Sequence, residues 1–382
     1  MIANRSISNQ TDDLVFLEDE ITRIIFVYVS PCVIFIGTVA NILSILVLSK
    51  KTMRRSTTMF YLLILSSADL LVLYTGLLRY WIVMAFDVDI RLYSDFICKL
   101  HAFLVYFSLD FASWILVAVT MDRCISVMRP LKARVCCSHN VSKVIVVVLF
   151  VTMVFINSHL FFTVEIISRN GSKPICQEAN ATFVFVSKIW PWIDFAVFCF
   201  VPFGIMIIAN LLIIRRVSAS VKTLKNMTVD NDISRSFDSL YTRRTSLRSN
   251  HISGEQSEQI STITETFENH GFSNNAVNKT AMNNSTRLQT STNVTVMLLT
   301  VNFVFFLCTT PIAVYFIGQH YWETRDLHPH RIAVQNLAYC IVNILQYLNN
   351  SVHFFLYCFT GKRFRNEFYK LFSRKRRSVV FQ

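Results

Sequence analysis

Seven apolar blocks, each long enough to cross a hydrocarbon core, divide this chain, and no soluble fold of its length can bury that many. A helix needs roughly 20 mostly apolar residues to span a bilayer, and blocks of that length recur from residue 24 to residue 357. They predict helices over 24–48, 59–83, 98–128, 141–162, 186–214, 294–317 and 333–357. With 53% of the 382 residues hydrophobic and 16% charged, too little polar surface remains to clothe a soluble domain. The fold class expected is an all-α membrane protein, a seven-transmembrane helix bundle.

The net charge of +13 suggests nucleic acid until its placement is examined. Lys50, Lys51, Arg54 and Arg55 follow the first block; Arg129, Lys132, Arg134 and Lys143 separate the third from the fourth. Arg215, Arg216, Lys222 and Lys225 follow the fifth, and the tail carries Lys362, Arg363, Arg365, Lys370 and the run 374–377. Basic clusters on alternate connections are the positive-inside signature of a cytoplasmic face. Asp87, Asp89, Asp95, Glu165, Glu178, Glu323 and Asp326 mark the other face, so no nucleic-acid partner is expected. An odd number of crossings puts the amino terminus outside and the carboxyl terminus inside.

Residues 1–23 predict an extracellular tail with sequons at Asn4 and Asn9; Asn170 and Asn180 carry two more on an outside loop. No basic run followed by an apolar stretch opens the chain, so the first spanning helix is expected to do the targeting. Residues 216–291, rich in Ser, Thr and Asn, predict a disordered cytoplasmic loop. Arginines before Thr245 and Ser246 suggest phosphorylation, a solvated linker being the plainer alternative; a kinase and an arrestin are the partners this implies. Residues 358–382 predict an amphipathic helix on the inner surface, with Phe359, Phe364, Phe368, Leu371 and Phe372 at near-helical spacing, followed by a short tail.

Ionisable groups inside a membrane are functional-site candidates by default. Asp69 lies mid-way along the second block and Arg79 ten residues away, roughly 15 Å nearer the outside. Asp110, Asp122 and Arg123 lie on the third, and Asn343, Gln346, Asn349, Asn350 and His353 on the seventh. A hydrogen-bond network of structural purpose is the bland alternative for Asp69. For Arg79 it is a pair with another group of the bundle, Asp110 being the candidate. Most of the ten cysteines, such as Cys32, Cys199, Cys308 and Cys340, sit in apolar blocks as small hydrophobes; Cys98 and Cys176 sit at the outside edge, where oxidation permits a pair. Neither metal-ligand spacing nor a hydrolase or phosphate-binding motif occurs, so no enzyme, zinc or cofactor is expected.

In this order on these helices, the residues resemble rhodopsin-like (class A) G-protein-coupled receptors over roughly residues 24–372. Asn41, the SSADL run around Asp69, Asp122–Arg123–Cys124, Leu131, Pro202, Phe305 with Cys308 and Pro311, and Tyr357 match the family's helix motifs. Cys98 and Cys176 match its bridge from the third helix to the second outside loop. The run from His353, HFFLYCFTGKRFR, resembles FMRFamide-receptor-like and related neuropeptide receptors.

The resemblance implies coupling to a heterotrimeric G protein through Asp122, Arg123 and Leu131, with Asp122 the local partner of Arg123. It implies an activation network of Asn41, Asp69, Asn349, His353, Tyr357, Phe305, Pro311 and Pro202. It also implies a sodium ion at Asp69, against which several departures count. His353 and Phe354 stand for the usual Asn and Pro, Thr309 for the switch tryptophan, Ala112 for a serine, and Ser291 lies where many members carry an acid.

Arg79, Val105, Tyr106 and Thr309 are assigned to the ligand pocket. Amine-binding members carry aspartate where this chain has Val105, so the agonist expected is an extracellular peptide, drawn as a cation to the acidic rim and anchored by Arg79 beside Tyr80 and Trp81. A small-molecule or lipid ligand is the alternative, and transport the more distant one, since repeated halves are lacking. The expected location is the plasma membrane.

Overall fold

The computed structural model describes residues 16–168, 174–220, 222–223, 295–318 and 328–379. Helices α1 (Leu17–Leu48), α2 (Thr57–Phe86), α3 (Asp95–Met128), α4 (His139–Thr163), α5 (Phe185–Ser220) and α6 (Thr295–Gly318) are long and apolar enough to cross a membrane. The seventh, α7 (Pro329–Thr360), has the length but carries a buried stripe of Asn343, Gln346, Asn349, Asn350 and His353. Such a stripe is tolerable in hydrocarbon only if it faces other helices. Gly361 separates α7 from α8 (Lys362–Val379).

The chain falls into two compact units, one of Met1–Leu211 with Val296–Gln382 and one of Leu212–Thr295. Of the second, residues 212–220 and 222–223 are helical. Within the first, α7 packs against α1, α1 against α2, and α2 against α3. Two glycines let α7 approach: a Cβ at Gly37 would overlap Ser351, and one at Gly76 would overlap Tyr347. Helix α4 is peripheral, with Val144, Val147, Val148, Val151 and Phe155 exposed as a lipid-facing surface should be.

A two-stranded antiparallel hairpin, β1 (Val164–Ile167) with β2 (Ile175–Glu178), departs from the otherwise helical architecture of the described residues. Its Cys176 is bonded to Cys98 at the start of α3. The disulfide is buried beneath Leu92, Phe103, Tyr106 and Ile166, so it also roofs that end of the bundle.

Several boundaries differ from expectation. Helix α1 begins at Leu17, inside the supposed tail 1–23, because Glu18, Asp19 and Glu20 in its first turn suit the helix dipole and its early turns pack on α7. Helix α5 continues to Ser220, past the expected start of the disordered loop at 216. Phe359 belongs to the last turn of α7 and is exposed. Helix α8 docks inward more than a surface helix need: Phe364 is buried against Tyr357 and Phe354, and Phe368 packs on Phe354. Lys50 adds a hydrogen bond to the Glu367 carbonyl at 2.6 Å and an ion pair to its carboxylate.

Asn4, Asn9, Asn170, Thr245, Ser246, Ser291, Glu323 and Asp326 lie outside the described residues. Asn180 is exposed at the start of a 3-10 turn.

Replacing Gly76 by Val should cost about 1–3 kcal/mol through overpacking against Tyr347. The expected result is a lowered thermal midpoint of the solubilised protein, whereas Gly204→Ala, whose Cβ meets nothing, should leave it unchanged or slightly higher.

Candidate functional site

Four polar centres lie along the bundle, from the disulfide end to the end where α8 docks. At the disulfide end Arg79 of α2 donates to Asp89 Oδ2 at 2.8 Å and to Oδ1 at 3.3 Å. Arg91 donates to the same carboxylate at 2.7 Å, so one acid serves two guanidinium groups and the cluster keeps a net positive charge. Partial burial works to raise the Asp89 carboxyl, but hydrogen bonds from Arg91 and Arg79, with their charges, outweigh it and hold it well below the usual carboxylate range. The sign follows: this contribution to stability is complete above the unfolded carboxylate range and fades only as pH falls beneath it.

The Arg79 guanidinium lies 5.2 Å from the Tyr80 ring centre, and Tyr80 shares a 2.6 Å hydrogen bond with Tyr339 of α7. Arg79 therefore pairs with Asp89 and not with Asp110. Trp81 turns away to donate to Val27 of α1. The acidic rim is also less free than expected, since Asp95 pairs with Lys99 and Asp89 with both arginines.

One level deeper, α3 and α5 run side by side in a register fixed by three contacts. Tyr106 meets Trp190 with ring centres 6.3 Å apart, Ser113 donates to the Phe198 carbonyl at 3.0 Å, and Trp114 donates to the Val197 carbonyl at 3.0 Å. Asp110 and Asp194 lie between those contacts, one helical turn beyond Tyr106 and Trp190 respectively, and within electrostatic reach of each other. Asn157 of α4 donates to Asp110 at 2.8 Å. No ion pair among the described residues involves Asp110 or Asp194. Asp194 escaped the sequence reading, although the rule that singled out Asp69 applies equally to an acid within α5.

The third centre is Asp69, whose Oδ2 lies 2.7 Å from His353 Nδ1 with both residues fully buried. The His353 ring stacks on Tyr357 at 6.2 Å. A cavity of about 10 Å³, room for roughly one water, is bounded by Asp69, His353, Asn349, Phe305 and Thr309. Thr309 thus belongs with the expected activation network and not with Arg79 and Tyr106; Val105, half-buried on α3, offers only its carbonyl, to Ser108. Asn41 reaches α7 by donating to the Asn350 carbonyl at 2.8 Å. Pro202 is buried beside Phe203, which packs edge-on against Phe305, and Pro311 lies within α6.

His353 engages Asp69 Oδ2 and leaves Oδ1, which has no hydrogen-bond partner among the described residues, beside a space of about one water. His353 therefore competes with a sodium ion for Asp69.

At the α8 end Asp122 does not close on Arg123. Its carboxylate accepts from Thr57 at 3.0 Å and Thr58 at 2.8 Å, tying α3 to α2. Among the described residues Arg123 makes a single long hydrogen bond, 3.5 Å to Ser56, and its Nε has no partner. Leu131, on the short helix Pro130–Cys136, is 80% exposed.

The sequence profile of the 7 transmembrane receptor (rhodopsin family) matches residues 40–357. The chain belongs to that family. It is 23% identical over 353 residues to a cholecystokinin receptor of Xenopus laevis, covering 89% of this chain and 75% of that one. A probable G-protein coupled receptor of Caenorhabditis elegans is 25% identical over 54% of this chain and 50% of its own. Chemerin-like receptor 1 of Homo sapiens is 27% identical over 38% of this chain and 39% of its own. The chain is therefore a multi-pass membrane receptor and not an enzyme.

Replacing sodium by choline should leave the thermal midpoint and agonist affinity of this receptor unchanged. His353→Asn, which frees Asp69 Oδ2 and enlarges the cavity, should gain a sodium response; a sodium effect in the unmodified receptor would contradict the geometry.

Proposed function

We propose that the receptor stands in the plasma membrane with its amino terminus and disulfide outside, answers an extracellular peptide, and signals to a heterotrimeric G protein. The observation that carries this reading is Arg123, a half-buried guanidinium held among the described residues by one 3.5 Å hydrogen bond. Little binding is lost when it turns toward a partner at the α8 end, where Leu131 is already exposed. The agonist prefers the form in which the α8-side end of α6 has swung outward, and only that preference shifts the population.

The likeness to receptors named for cholecystokinin and chemerin supports the choice of agonist class. The electrostatics supports two contacts. A terminal carbonyl or carboxylate of the peptide meets the positive Arg79–Asp89–Arg91 cluster, and a cationic group reaches down to Asp194 and Asp110. The cationic preference thus rests on the deeper acids, since the rim acids Asp89 and Asp95 have partners of their own. Kinase and arrestin act through Thr245 and Ser246, and Asn4, Asn9, Asn170 and Asn180 carry glycans. Placement near the FMRFamide-receptor-like branch rests on the run from His353 alone.

Screening secreted peptides on cells expressing the chain, read by calcium and cyclic nucleotide together, identifies the agonist. With it in hand, Arg123→Ala should keep surface expression and agonist affinity within about threefold and lose nucleotide exchange; unchanged exchange removes the coupling role. Asp194→Asn should lower potency by about tenfold or more, the scale of a buried charge contact. Equal potency in Asp194→Asn and the unmodified receptor, at matched expression, removes the cationic contact.

A further inference from the structure

An apolar cleft of about 230 Å³ runs along α3 on its α4 side, walled by Trp114, Ala118, Met121 and Ile125 from α3 and by Ile145 and Leu149 from α4. Both thiols of the adjacent pair Cys136 and Cys137 line it, at the end of the short helix Pro130–Cys136. From Ile125 to Trp114 the α3 axis rises roughly 16 Å, and one leaflet of the hydrocarbon core is about 15 Å deep. The cleft therefore has the depth of a leaflet and opens beside two cysteines at the membrane surface.

We infer that Cys136 is S-acylated and that its fatty-acyl chain lies in this cleft. Cys136 is exposed, as a nucleophile must be, while Cys137 is half-buried and donates to the Asp122 carbonyl at 3.6 Å. Burial also raises the Cys137 thiol, making it the poorer thiolate. Lys132 and Arg134 on the short helix and Lys143 on α4 are exposed around the mouth and suit an anionic leaflet. In the reaction, the Cys136 thiolate attacks the carbonyl carbon of a fatty-acyl-coenzyme A thioester. A new S–C bond forms, the donor's C–S bond breaks, and coenzyme A leaves with the electron pair and takes up the proton that Cys136 gave up. The acyl chain then fills apolar surface that α3 and α4 leave uncovered, and fixes the short helix bearing Leu131.

The full-length receptor is expressed in cells fed an alkyne-bearing sixteen-carbon fatty acid, and the tryptic peptide 135–143 is recovered. Hydroxylamine-labile label on that peptide, lost in Cys136→Ser and kept in Cys137→Ser, is the expected result. A peptide without label, as free lipid in the cleft would give, overturns the proposal, and so does label that survives Cys136→Ser. For the seat of the chain, hydroxylamine should lower the thermal midpoint of the unmodified receptor but not of Ala118→Trp or, from the opposite wall, Leu149→Trp. An equal drop in either folded variant places the chain elsewhere and overturns that part. Because acyl-coenzyme A is cytosolic, the proposal rests on the orientation given above. Labelling Cys136 with a membrane-impermeant thiol reagent, in intact against permeabilised cells of the non-acylated receptor, distinguishes a failed orientation from failed acylation.

Discussion

Hydrocarbon does not solvate a carboxylate, so each acid placed within or beside the bundle must be met by a specific donor, and those meetings hold the helices in register. Asp69 is met by His353, which joins α2 to α7. Asp122 is met by Thr57 and Thr58, joining α3 to α2, and Asp110 by Asn157, joining α3 to α4. Asp89 at the disulfide end takes Arg79 and Arg91. Each pairing satisfies a costly group and orients a helix about its own axis, which apolar packing among lipid-like side chains does only weakly.

The polar stripe of α7 is the largest consequence. Its residues must turn inward, and Gly37 and Gly76 give them room by letting Ser351 and Tyr347 come close to α1 and α2. With α7 so placed, Tyr357 and Phe354 at its far end form the seat for Phe364, and α8 is held by packing as well as by its amphipathic face. The disulfide end and the α8 end are therefore linked by one 32-residue helix whose rotation is set in its α8-side half, at His353.

Asp194 stands apart because no cation of the described residues meets it, although Asp110 lies near by. The other acids named here have donors, and the absence of a positive partner at this one is what the cationic contact proposed above is built on. Arg123 is the converse at the α8 end, a half-buried cation with one long hydrogen bond among the described residues.

The number, order and approximate position of the helices were legible from local hydropathy, because apolar length is a property of consecutive residues. So were the disulfide cysteines and the positions of Asp69, Arg123 and His353 along their helices, which a family resemblance locates. Helix ends drifted where polar first turns are retained by packing, as at Leu17, and α7 scores as less apolar than its neighbours for the same polar stripe that fixes it. Partners were another matter. That Arg79 takes Asp89 and not Asp110, that Trp81 turns to α1, that Asp122 holds α2 and leaves Arg123, and that His353 takes Asp69 Oδ2 depend on how far each helix is rotated and how deep it sits. The sequence by itself determined which segments cross the membrane and which charges they carry inside. Only the tertiary structure decided which charges meet, because helix rotation and depth are set by the surfaces of neighbouring helices.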